Sequence, residues 1–386
     1  MEGLVDRLCE GLAALDNENL RRHRRVLDSP QGRIVRVDGR EAVNFSSNDY
    51  LGLASDARLV AAAHRALDAY GVGSGASPLV SGHSRAHEEA EARFAAFVRL
   101  PRALLFPSGY AANLAILTVL GGPEAQVFGD RLNHACLHDG ARLSRATYTR
   151  YGHLDLDELE RALAASRAAT RIVATDAVFS MDGDVAHLPR MLEICERYDA
   201  WLVLDDAHGI GVLGAGGRGS LEHFALASPR IVYMATLGKA LGGYGAFVAG
   251  AAQTIEWMLQ RARTYIFSTA LPPAMAAAAS AALDVLEEDR GVLERLRARI
   301  GEFRAACTAR SVPATPSDTA IQPIVVGEAT RALAASARLL ERGFLVPAIR
   351  PPTVPRGTSR LRVSLSAAHR RDDVERLAAA LAECLA

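Results

Sequence analysis

The 386-residue chain is 49% hydrophobic and balances 44 Lys and Arg against 44 Asp and Glu, a formal net charge of zero. That balance argues against nucleic acid or an anionic membrane as the main partner, because both require a basic excess. Five scattered cysteines (Cys9, Cys136, Cys195, Cys307 and Cys384) contain no Cys-x-x-Cys pair, which argues against a disulfide framework or zinc cluster and favours a reducing cytoplasm. Residues 1–25 lack the apolar core of a signal peptide, and the Ala-rich run 274–286 is too short to span a bilayer.

In chain order, the apolar runs 103–106, 126–128, 171–179, 201–204, 231–235 and 246–249 read as buried strands. Amphipathic helical patterns at 109–120, 156–165 and 188–198 fall between several of them. This alternation predicts an α/β fold with a large, mostly parallel sheet. Beyond about residue 274 a long helical region precedes strands at 321–326, 344–349 and 360–365, with turn-rich stretches at 315–317 and 351–357. The expected organisation is a large α/β domain over 45–275, with a smaller α+β domain built from 1–44 and 276–386.

One residue stands out by composition. Lys239 is the only lysine; every other cationic side chain except histidine is arginine. A lysine amine can deprotonate and form an imine with an aldehyde, which a guanidinium does not readily do. Other motifs are weaker. Gly209, Gly211 and Gly214 fit G-x-G-x-x-G, but a glycine-rich loop follows where a dinucleotide site needs a helix. His83/His87 and His134/His138 have i, i+4 spacing without the H-E-x-x-H context, and no metal site is expected. No phosphate-binding P-loop is present, since Ala240 follows Lys239.

The stronger constellation lies at predicted strand ends. Strand 103–106 runs into Pro107-Ser108-Gly109-Tyr110 and a helix, whose N-terminal N–H groups suit a phosphate. Strand 201–204 ends in Asp205-Asp206-Ala207-His208, and strand 231–235 in Thr236-Leu237-Gly238-Lys239. A phosphate cradle, a carboxylate, an imidazole and a lone amine together suit pyridoxal phosphate, in which a carboxylate keeps the pyridine nitrogen protonated.

Four longer motifs sharpen this. They are Asn44-Phe45-Ser46-Ser47-Asn48-Asp49-Tyr50-Leu51-Gly52-Leu53, Asp176-Ala177-Val178-Phe179-Ser180-Met181-Asp182-Gly183, Asp205-Asp206-Ala207-His208-Gly209 and Thr236-Leu237-Gly238-Lys239-Ala240-Leu241-Gly242. With them the chain, from about residue 20 to 385, resembles the α-oxoamine synthases, pyridoxal-phosphate-dependent enzymes of the aspartate-aminotransferase fold (fold type I). The run Ala348-Ile349-Arg350-Pro351-Pro352-Thr353-Val354-Pro355 is similar to the branch that condenses L-alanine with pimeloyl-CoA or a pimeloyl-carrier protein in biotin biosynthesis. Siblings such as glycine C-acetyltransferase and 5-aminolevulinate synthase are the alternative, and a non-catalytic cofactor-binding regulator is a more distant one. Neither end of the chain has spare basic length for a DNA-binding domain.

The resemblance implies roles. Lys239 would be the Schiff-base lysine and general base, Asp205 the partner of the pyridine nitrogen, and His134 the imidazole stacked on the ring. His208 would donate a hydrogen bond to the cofactor's phenolic oxygen, Ser180 would make a second polar contact with the cofactor, and Gly109, Tyr110 and Thr236 would contact its phosphate. Arg350 would hold the amino-acid carboxylate, Thr353 would touch substrate, and Asn48 would lie in the active-site loop. Arg22, with Arg21 crowding the same stretch, would meet the acyl substrate. The resemblance also implies a homodimer in which Ser268 and Thr269 reach the neighbouring active site. Pro78 departs from the family pattern in the glycine-serine loop, a difference that bears on the loop's stiffness in a direction the sequence does not give.

Overall fold

The computed structural model describes residues 3–289 and 291–385. Contacts gather the chain into two units, one of residues up to 47, 181–183 and from 296 onward, the other of 48–180 and 184–295. In the smaller unit, β1 (Ile34–Val37) and β2 (Arg40–Asn44) form an antiparallel hairpin. Its two turn residues, Asp38 and Gly39, both adopt positive φ, 49° and 78°. That is the turn whose twist matches two paired strands.

The larger unit carries seven strands: β3 (Arg102–Phe106), β4 (Ala125–Asp130), β5 (Thr147–Tyr151), β6 (Thr170–Asp176), β7 (Ala200–Asp205), β8 (Ile231–Thr236) and β9 (Ala246–Gly250). Their order is β3-β9-β8-β7-β6-β4-β5, and β9 alone runs against its neighbours. The sheet is therefore mostly parallel, as the alternation of strands and helices predicts. Leu104, Ile116, Val127, Ile172, Val203, Val232 and Met234 are buried in one core with the helix Gly109–Leu120. Each such side chain contributes about 1.5–3 kcal/mol by leaving water.

Two sequence expectations change here. The strand expected over 171–179 stops at Asp176, where the Ala177 N–H turns to bond the Asp205 carbonyl at 2.7 Å. The edge strand β5, only partly buried, escapes prediction because it lacks the continuous apolar run of its central neighbours.

The smaller unit continues with β10 (Ile321–Gly327), β11 (Phe344–Leu345), β12 (Ala348–Ile349) and β13 (Ser359–Ser364). The single strand expected over 344–349 is two. β11 pairs in parallel with β2, whereas β12 pairs antiparallel with β13. Pro347 lies between them and has no N–H for a ladder, so the chain changes sheets there. Beneath these sheets Asp373, fully buried, receives Arg33 in a two-pronged bond of 2.5 and 2.9 Å. His369 stacks on Phe45 with ring centres 4.1 Å apart and bonds the Asn44 carbonyl at 3.0 Å. Burial pushes its pKa down to about 4. Among the described residues no helix is long and apolar enough to cross a membrane.

Candidate active site

Because β3, β4, β6, β7 and β8 run the same way, their carboxyl ends deliver Ser108, His134, Ala177, Asp205 and Lys239 to one edge of the sheet. The half-buried Lys239 Nζ lies 2.9 Å from His208 Nε2. The other ring nitrogen, His208 Nδ1, is 2.7 Å from the buried Tyr50 hydroxyl, which in turn donates to Asn48 Oδ1 at 3.1 Å. Gly242 makes this possible. Its φ is +65°, and a Cβ there would sit 2.4 Å from the Leu53 carbonyl carbon, so only glycine lets the turn after Lys239 close on the Asn48–Leu53 segment.

Asp205, 4% exposed, accepts the Asn113 amide at 2.7 Å and the Ala207 N–H at 2.9 Å. His134 caps the helix Ala135–Leu143, its Nδ1 accepting from Cys136 N–H at 3.3 Å. Its backbone N–H donates to Asp176 at 2.6 Å. Although His134 stands at the surface, the surrounding bulk lowers its pKa, Asp205 opposing and Lys239 adding to that shift.

The loops carrying His134 and Ser180 share an anchor. His153 bonds both oxygens of the buried Asp130 at 3.0 and 3.1 Å through Nδ1, and Asp184 at 2.6 Å through Nε2. Asp130 also holds the Leu132 N–H at 2.8 Å, and the Asp184 carbonyl receives Phe179 N–H at 3.0 Å. Burial alone would lower the His153 pKa; the two carboxylates more than reverse that and raise it to about 10.

For a phosphate, Ser108 caps the helix Gly109–Leu120 by accepting from Ala111 N–H, and the intrahelical ladder leaves the first-turn N–H groups of Gly109 and Tyr110 pointing out of the helix end. The Tyr110 hydroxyl bonds Asp139, a partner that phenylalanine would lack. Thr236 accepts from Gly238 N–H at 3.3 Å and donates to the Gly245 carbonyl at 3.0 Å. A primary amine, a buried carboxylate held by two donors, an imidazole and a helix N-terminus fit the aldehyde, pyridine nitrogen and phosphate of pyridoxal phosphate.

The smaller unit holds the expected substrate residues. Arg350 bonds the carbonyls of Asn19 and Arg21, and burial followed by the nearby Arg22 charge lowers its pKa. Arg22 Nη2 donates to the Thr353 hydroxyl at 3.2 Å. Arg350 and Arg21, with Asn19, His23 and Arg24, line a cavity of about 750 Å³ floored by Leu345, Val346 and Pro347.

The other motifs find different explanations. The glycine cluster wraps a buried carboxylate: a Cβ on Gly209 or Gly219 would lie 1.9 or 2.0 Å from the oxygens of Asp206. Burial pushes Asp206 up to about 7 against hydrogen bonds from Ser220 and Tyr233. His87 is buried against the Leu271 carbonyl at 2.5 Å, and His138 meets the Tyr148 hydroxyl. His83 pairs with Glu88 at 2.9 Å, and with Glu91 these form, among the described residues, one group whose ligand-type atoms lie within 4.8 Å. Glu91 already accepts Leu105 N–H at 2.8 Å. Pro78 opens a single helical turn, Pro78–Gly82, where its missing N–H leaves nothing unsatisfied.

Known proteins bear on this site. The aminotransferase class I and II family matches residues 40–381. The 8-amino-7-oxononanoate synthase of Methylobacillus flagellatus is 55% identical over 97% of this chain and 94% of its own, and that of Nitrosospira multiformis 54% over 97% and 95%. The chain belongs to the aminotransferase class I and II family, in the branch of the 8-amino-7-oxononanoate synthases. Among solved structures it is similar to the serine palmitoyltransferase of Sphingomonas wittichii (27% identity, TM-score 0.91, 99% and 98% of the two chains). It is also similar to the 8-amino-7-oxononanoate synthase of Francisella tularensis (31%, 0.77, 89% and 97%). The S. paucimobilis serine palmitoyltransferase, at 26% identity and TM-score 0.93, is described with pyridoxal phosphate bound. The family's fold is therefore the one expected from the motifs.

Asn113, His153 and Tyr50 were not among the expected site residues. Asn113 had a signal: it is the one polar side chain among the buried residues of the helix Gly109–Leu120. Tyr50 lies inside the quoted motif 44–53, whereas His153 gave no signal of its own.

Proposed function

We infer that the chain condenses L-alanine with a pimeloyl thioester, on CoA or an acyl carrier protein, to 8-amino-7-oxononanoate, carbon dioxide and the free thiol, with pyridoxal phosphate as cofactor. The observation that carries the reading is the Lys239–His208 contact of 2.9 Å beside a two-donor Asp205, in a chain 55% identical to a protein named for this activity. When bound, the cofactor supplies an aldehyde for amines and a ring that accepts the electron pair of a cleaved bond.

In this reading Lys239 attaches the cofactor and, displaced by the incoming amine, takes the α-proton at Nζ. Asp205 keeps the pyridine nitrogen protonated, and Asn113 and Ala207 hold both its oxygens in place. His134 lies against the ring's face, His208 donates to its phenolic oxygen, and Ser180 makes a second polar contact with the cofactor. The Gly109 and Tyr110 N–H groups and Thr236 receive the phosphate. Arg350 takes the alanine carboxylate in its planar fork, exchanging its present carbonyl partners for a charged one. Arg22 and Thr353 meet the acyl substrate, and Asn48 borders it.

The test is product identification with alanine and pimeloyl-CoA, against glycine and serine and against acetyl-CoA. Glycine with acetyl-CoA as the best pair would sink the assignment. Serine with a long acyl-CoA would favour the reading suggested by the serine palmitoyltransferase likeness. We also propose a cytoplasmic homodimer with Ser268 and Thr269 near the partner's cofactor. Phe267 is 69% exposed and Thr269 is exposed, on a segment pinned at Leu271 by Ser74 and His87. A monomeric mass in sedimentation would refute it.

A further inference from the structure

His153 lies between two segments that carry proposed cofactor contacts. On one side β4 ends at Asp130, just ahead of His134. The Asp130 carboxylate accepts His153 Nδ1 at 3.0 and 3.1 Å and the N–H groups of Leu132 and Leu154 at 2.8 Å each. The following residues are locked in turn. The Asn133 amide donates to the Ala174 carbonyl at 2.7 Å and accepts Asp176 N–H at 3.2 Å, and His134 N–H donates to Asp176 at 2.6 Å. On the other side, residues 177–186 double back on themselves. Ala186 N–H bonds the Ala177 carbonyl and Phe179 N–H the Asp184 carbonyl, each at 3.0 Å, and Val178 pairs with Val185. Ser180 stands at the bend, next to this stem. His153 grips the stem through Asp184 Oδ2 at 2.6 Å and through the buried Phe179 ring, 4.5 Å away and nearly perpendicular at 88°.

Both ring nitrogens face carboxylates, which only accept hydrogen bonds when ionised, so both must carry a proton. A neutral ring would serve one carboxylate and release the other. Burial opposes the charge, but the bonds from Asp130 and Asp184 outweigh it and raise the pKa to about 10. The backbone also yields to this arrangement. Leu154 has a φ of +57°, a left-handed conformation that a leucine rarely adopts, and its N–H and the neighbouring His153 ring converge on the same Asp130 carboxylate. We propose that His153 is a positioning residue for the reaction: its imidazolium ties the His134 segment to the Ser180 hairpin and so fixes where those two side chains meet the cofactor. The inference rests on the reading of His134 and Ser180 as contacts of pyridoxal phosphate. Without the shared donor the two segments lose their common hold, and a misplacement of about 1 Å, even from a change far from the chemistry, can cost about 10²-fold in rate.

The experiment compares wild type, His153→Gln, Asp184→Asn and the double variant at pH 7, well below their melting midpoints. In cofactor-free protein, His153→Gln should speed hydrogen exchange about tenfold in both segments, 130–136 and 177–186. Loaded with pyridoxal phosphate, it should bind the same amount of cofactor, show a weaker visible circular-dichroism band, and lose about three- to thirtyfold in kcat. KM for alanine should stay within about twofold, because Arg350 is untouched. Asp184→Asn should move the same readings in the same direction, and should carry the test alone if His153→Gln does not fold. The double variant should be no worse than His153→Gln, since both changes break one link. A variant that only unfolds more easily, with dichroism and kcat unchanged, overturns the inference, and so do additive losses in the double variant. A wild-type protein with no visible band overturns instead the cofactor reading, while the exchange rates still report the clamp.

Discussion

At the carboxyl edge of the seven-stranded sheet, His208 is backed by Tyr50 and Asp205 by Asn113, each bond closed inside buried protein. In the smaller unit, Arg350 and Arg22 bond backbone carbonyls and a threonine hydroxyl on partly exposed surface. The first arrangement leaves little to reorganise, as electrostatic catalysis requires. The second uses partners that a substrate carboxylate can replace, because a carboxylate adds an opposite charge and a bidentate match to the guanidinium that a neutral carbonyl lacks. Under the proposed function, the contrast separates groups that tune chemistry from groups that recognise ligands.

The largest expected effect tests the first arrangement. Lys239→Ala should abolish the visible cofactor band and lower activity by more than about 10³-fold, since it removes both attachment and base. Retention of band and activity would remove the centre of the proposal. Next, Arg350→Ala should leave the band intact and raise KM for alanine about 10²-fold, the cost of losing a charge-assisted bidentate contact. A comparable loss in kcat with an altered band would erase the distinction between the two regions.

The two anchoring histidines sharpen the comparison through pH. His153 has a raised pKa, about 10, so its stabilising contribution is full below about pH 6.5 and is lost as pH rises through 10. Replacing it with Gln should destabilise the protein by about 1–3 kcal/mol at pH 6, and by less near pH 10, in denaturant titrations. His369 behaves oppositely. Its folded pKa of about 4 means that stability falls as pH drops from 6.5 toward 4, by about 2–3 kcal/mol, and a His369→Phe variant should show a flatter acid limb. The smallest effect is expected from Tyr110→Phe, which removes an exposed hydroxyl contact to Asp139 but no backbone N–H. Its kcat and cofactor affinity should change less than about twofold.

Much of the site was readable along the chain. Lys239 is conspicuous as the only lysine, and Asp205, His208 and Thr236 sit at the ends of apolar runs whose length and bounding turns identify buried strands. Those features are local, so a pattern of residues suffices to place them. The hairpin at Asp38-Gly39 was equally local and went unread only because its strands are short and half exposed. The break at Pro347 was written in the missing N–H, but which sheet each half would join was not.

What only the tertiary structure decided is who stands behind each functional group. Tyr50 meets His208 across 158 residues, Asn113 meets Asp205 across 92, and His153 joins Asp130 to Asp184. These pairings depend on strand order and register and on the close approach at Gly242, none of which leaves a periodic trace in sequence. The sequence by itself determined the reactive amine and the strand ends that present it. The fold determined the hydrogen-bonded shell around that amine, because burial makes those distant partners obligatory and only packing brings them within reach.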